Sequence, residues 1–160
     1  MASRAGDRAV ALSRQLARAH EELRRQIRET RKSLGQRRLS DDVLLTHCLA
    51  FCTALTSHHQ GEDDGMFSQL LRQRPDLAPT ITKLVEDHGL IASILSRVTE
   101  LADRALEPRA SALEEIGREL DGLAAIMESH FAYEERTISA ALDDGKPDTD
   151  WPDLVFGFGR

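Results

Sequence analysis

Four long segments of this chain repeat apolar residues at helical spacing, and each interrupts its own apolar stripe with a histidine. The first stripe runs Leu12, Leu16, Leu23, Ile27, with His20 inside it. The second runs Leu44, Phe51, Leu55, then Met66 and Leu70, with His58 and Glu62 between. The third runs Ile81, Leu84, Val85, Ile91, Leu95, Val98 around His88. The fourth runs Leu113, Ile116, Leu120, Leu123, Met127, then Ile138 and Leu142, around His130 and Glu134. A bundle built from these stripes must place imidazoles and carboxylates in its interior.

The punctuation between the stripes predicts helices at about 6–34, 41–73, 79–105 and 110–143. Leu34-Gly35 is a stop, and Ser40-Asp41-Asp42 is a capped start. Arg74-Pro75-Asp76 breaks the chain again, with Pro79 just inside the next helix. Glu107-Pro108 and the run from Asp143 to Pro147 are the remaining breaks. Long helices joined by short loops predict an all-α, up-down-up-down four-helix bundle over residues 1–143, followed by an irregular tail at 144–160.

Composition narrows the function. The net charge of −6 divides into +7 over residues 1–38 and −13 over the rest. A basic first helix can signal nucleic acid. Here the arginines alternate with Glu21, Glu22 and Glu29, the pattern of a solvated face, and nothing resembles a groove-reading motif or an aromatic platform. Nucleic acid is therefore not an expected partner. No apolar run approaches the roughly 20 residues that span a bilayer, and residues 1–16 lack the apolar core of a secretory signal. Cys48 and Cys52, four apart, suit small packed residues better than a disulfide. A reducing cytoplasm fits, and no membrane association is expected.

The interruptions carry the chemistry. One histidine on an apolar stripe is ordinarily a satisfied core residue; four, one per helix, are not. The pairs His58/Glu62 and His130/Glu134 are four apart and project to the same side of their helices. An ionised carboxylate buried without a partner costs several kcal/mol or more, so Glu62 and Glu134 call for positive charge inside. Four histidines and two glutamates exceed the roughly four ligands of a structural zinc. Two octahedral ions need about twelve bonds, of which the six side chains give roughly eight if both carboxylates bridge. A shared oxide or hydroxide adds two, leaving positions open for dioxygen, peroxide or water. Mixed nitrogen and oxygen ligation with open positions suits iron best, with manganese or zinc behind it.

With His20 in the first helix, HHQGED (His58–Asp63) in the second, EDHGLI (Glu86–Ile91) in the third and HFAYEE (His130–Glu135) in the fourth, residues 12–142 resemble the hemerythrin-like, HHE cation-binding domains. The resemblance implies a hemerythrin-like bundle with a non-heme centre of two iron ions joined by an oxo or hydroxo bridge. Its ligands would be His20, His58, Glu62, His88, His130 and Glu134. The oxygen-carrying members have His-x-x-x-His in the third helix, where this chain has Ala92 four after His88. They also use a shorter acid at a spacing of five from the fourth-helix histidine, where this chain has Glu134 at four and Glu135 at five. One histidine lost and one glutamate gained make the centre more electron-rich, against simple reversible oxygen carriage. The resemblance then implies catalase-like peroxide handling or oxygen-dependent oxidation, and it leaves a redox partner open. The alternative is an oxygen, nitric oxide or iron sensing module without turnover.

Neighbouring residues complete the expectations. His59, adjacent to His58 and spaced four from Asp63, is a candidate extra ligand. Tyr133, three after His130, is a candidate to donate to a bound oxygen species or to ligate iron. Glu86 and Glu135 are candidates to orient histidines or to face solvent. His47, about 16 Å along the helix from His58, is expected to be a core residue or a polar plug. Gly61 and Gly65 weaken the second helix and are expected to make room for close packing or a bend. The tail WPDLVFGFGR holds three of the seven aromatics and is expected to fold over the bundle end, dock on a partner or stay disordered.

Overall fold

A computed structural model describes residues 10–36, 39–103, 109–147 and 150–157. The helices are α1 (Leu12–Gln36), α2 (Asp41–Gly61), α3 (Phe67–Gln73), α4 (Ala78–Asp103), α5 (Arg109–Asp144) and α6 (Trp151–Phe156), with no strand among the described residues. Ser40 caps α2, its hydroxyl accepting from the Val43 N–H, while Asp41 and Asp42 face the positive end of the helix dipole. Pro75–Leu77 forms a single 3₁₀ turn that leads into α4.

The predicted second helix is continuous through α2 and α3 but contains one π turn, Glu62–Met66, in which the Phe67 N–H reaches back five residues to the Glu62 carbonyl. α1 packs against α2 and α5, and α4 packs against α5 and α2, the neighbour pattern of a four-helix bundle. Ser13 clips α1 to the end of α5 through both carboxylate oxygens of Asp143. The basic face of α1 meets acids on α5, with Arg24 on Glu128 and Arg31 on Asp121. Such exposed pairs contribute little to stability, about 0–1 kcal/mol each.

The interior divides into two apolar clusters. One contains Leu23, Ile27, Leu44, Phe51, Leu55, Ile91, Leu95, Leu120, Met127 and Phe131. The other contains Leu16, Met66, Phe67, Leu70, Ile81, Leu84, Ile138 and Leu142. On every bundle helix the histidine lies where the stripe passes from one cluster to the other. The polar residues therefore form a layer between two dry compartments.

Three sequence expectations are corrected. His47 is exposed rather than core, because it lies one residue away from the face that buries Leu44, Cys48 and Phe51. Val85 is exposed, since Ile81, Leu84 and His88 already fill the inward face of α4. Cys48 and Cys52 are buried free thiols, as expected. The tail, expected to be irregular, contains α6, and α6 folds over the bundle with Trp151, Val155 and Phe156 inside. Among the described residues no helix is long and apolar enough to cross a membrane.

Candidate metal centre

Successive α-helical residues are rotated by about 100°. On that spacing Glu62 lies about 40° past His58 and about 60° short of His59, angularly between them. One helix thus aims two imidazoles to either side of one carboxylate. All three side chains are buried.

The surrounding helices complete two groups of potential ligand atoms. His59, Glu62, His88 and His130 form one, and His20, His58, Glu62 and Glu134 form the other; within each, one atom per residue lies within 4.8 Å of all the rest. Glu62 alone is common to both. Its Oε1 is 3.1 Å from His88 Nε2 and its Oε2 is 3.4 Å from His58 Nε2, so its two oxygens face opposite groups. Glu134 belongs to one group only, with Oε1 2.9 Å from His20 Nε2.

The far nitrogens of four histidines are tied down. Glu135 Oε2 accepts from His20 Nδ1 at 2.9 Å, Asp63 Oδ1 from His88 Nδ1 at 2.8 Å, and Asp87 Oδ2 from His130 Nδ1 at 3.1 Å. The Val155 carbonyl accepts from His58 Nδ1 at 2.7 Å. An acceptor at Nδ1 fixes the proton there and turns the Nε2 lone pair inward, the usual arrangement behind a metal-ligating imidazole. For His88 and His130 this brings two Nε2 atoms to 3.1 Å with a lone pair on each, an arrangement that a cation would relieve.

Electrostatics point the same way. His20 Nε2, His59 Nε2 and both oxygens of Glu62 and of Glu134 are buried without a hydrogen-bond partner. Burial pushes Glu62 and Glu134 up to about 8. Burial, then neighbouring histidines, push His58 and His59 well below the usual imidazole range and His130 down to about 4. At His20 burial would also lower the pKa, but Glu134 and Glu135 outweigh it and raise it. A layer with this many unsatisfied acceptors is costly as it stands and suited to divalent or trivalent cations, so the residues fit a pair of metal ions.

The family model described as hemerythrin HHE cation binding domain matches residues 11–142. The chain belongs to this family. Comparisons with curated proteins and with solved structures returned no match.

In this hemerythrin domain the six residues named from the sequence all lie in the two groups, and His59 joins them. Ala92 lacks a side-chain donor, and the third imidazole of the His88 group comes from α2, as His59. Glu135 orients His20, whereas Glu86 is exposed. Tyr133 is half-buried beside the second apolar cluster, its ring flanked by Lys83 and Arg136. Sequence reasoning missed Asp63, Asp87 and Val155 as the partners that orient histidines. The two aspartates directly precede or follow metal-capable residues, a signal that was there to read. Val155 gave none, because its contribution is a main-chain carbonyl beyond the matched residues.

Proposed function

We propose that this hemerythrin domain holds two iron ions, one in each group, and that the pair binds and reacts with dioxygen or peroxide. The observation that supports this most is the sharing of Glu62 between two otherwise separate buried groups, which matches one bridging carboxylate and two ions rather than a single structural site. An iron pair supplies reversible redox chemistry and open positions for small oxygen species. The protein's own part is to hold that pair dry and fixed. Glu62 and Glu134 balance its charge, and Glu135, Asp63 and Asp87 keep three imidazoles turned inward and raise their basicity. The apolar clusters on either side exclude water and bulky reductants.

The test is metal content followed by reaction. Protein produced with ample iron should carry about two irons per chain and release oxygen from hydrogen peroxide. Two irons with no oxygen release leaves dioxygen-dependent oxidation or sensing as the reading; zinc alone, or no metal, overturns the iron assignment.

A further inference from the structure

Of the four Nδ1 anchors described above, the Val155 carbonyl is the one that is not a carboxylate of the bundle, and it belongs to α6, outside the family match. The seat of α6 is specific. Gly61 and Gly65 lie against it: a Cβ at Gly61 would stand 2.8 Å from Leu154 Cβ and 3.0 Å from Val155 Cγ2, and one at Gly65 would run into Trp151. The buried Gln69 amide ties the segment down twice, donating to the Lys146 carbonyl at 2.7 Å and accepting from the Trp151 indole N–H at 2.9 Å. Trp151, Val155 and Phe156 extend the second apolar cluster directly beneath the polar layer. Two glycines in the helix that carries three of the candidate ligands are unfavourable for that helix. Their gain is the close approach of α6.

We propose that α6 is a positioning element of one half of the metal centre. Through Val155 it sets the tautomer and direction of His58, and the Gly61–Gly65 seat with Gln69 holds Val155 in place. The inference rests on the two-ion reading above and adds to it an asymmetry. Loosening α6 removes the Val155 hydrogen bond from His58 and weakens only the group of His20, His58, Glu62 and Glu134. The group of His59, His88, His130 and Glu62 is anchored by Asp63 and Asp87 and keeps its ion. An ion that depends on a short docked helix can be released by whatever undocks that helix.

The experiment uses the full chain with Gln69→Ala, Gly61→Ala and, as control, Leu154→Ala, whose side chain is largely exposed. Gly61→Ala favours α2 as helix and so folds while pushing α6 outward. In metal-free protein, imidazole nitrogen-15 shifts should show His58 protonated at Nδ1 in the parent and the control, and mixed or Nε2-protonated in the two variants. His88 and His130 should not change. In iron-loaded protein, transfer to a chelator should become biphasic in the variants, one equivalent leaving at least about tenfold faster, in line with the loss of an orienting hydrogen bond. Unchanged His58 shifts together with monophasic release, in a variant whose 147–157 region has become protease-sensitive, would overturn the proposal. If the parent takes up no iron, the two-ion reading fails on its own, and the His58 tautomer still decides whether Val155 positions that ring.

Discussion

His59 lies flat against His88, the ring centroids 3.8 Å apart and the planes only 18° from parallel. The stack holds the α2 imidazole within the His88 group. His59→Ala should therefore lower iron from about two to about one per chain, with the ion of the His88 group lost, as read by mass spectrometry. Retention of both ions would assign His59 to packing alone.

The two buried glutamates should behave differently. Glu62→Gln removes the negative side chain common to both groups and should cost both ions. Glu134→Gln touches one group and should leave about one. Equal metal loss in the two variants would contradict the single shared carboxylate.

Metal-free protein should lose stability as pH rises from about 6.5 to 8. Glu62 and Glu134 carry folded pKa values of about 8, above the unfolded 4.5, so the folded state holds protons that the unfolded state has shed. His20, also raised, acts in the same sense. Each such proton difference is worth up to about 1.4 kcal/mol per pH unit. Below 6.5 the depressed His58, His59 and His130 oppose the trend, since the unfolded state then binds the extra protons. Saturating iron should abolish the fall between 6.5 and 8. Denaturant midpoints across this range, with and without iron, provide the check.

Cys48 and Cys52 should resist alkylation in the folded protein at pH 8. Burial pushes their thiols up to about 12 and about 11, so almost no thiolate is present. Both should react within minutes after unfolding. Fast labelling of native protein would mean that the Leu55 side of the core opens readily.

The four bundle helices were legible because each carries a long apolar stripe at helical spacing. The six ligand candidates followed from the histidines and glutamates that interrupt those stripes. His47 was misread because it shares the angle of His58 to within about 20° but lies at the edge of the stripe, where His58 is covered by α6 and His47 is exposed. The π turn was invisible, since EDDGM has no composition that marks it. Without it Phe67 falls off the stripe that includes Met66, although both are buried. Hydrogen bonds between helices, such as Asp63 to His88 and Asp87 to His130, depend on which helices are neighbours, which periodicity alone does not specify.

The π turn at Glu62–Met66 has a consequence for how this protein can vary. It carries an extra residue over the rise of an ordinary turn, so α2 and α3 are out of phase by about one position although joined without a loop. The phase upstream is set by His58, His59 and Glu62, and the phase downstream by Met66, Phe67 and Leu70. Deleting Asp64 would leave one regular helix with Met66, Phe67 and Leu70 still facing the lower core, whereas closing the turn to α geometry with every residue kept would rotate the lower core against the metal layer by about 100°. The insertion works as a clutch: it lets packing below the site change register without turning the ligands above it.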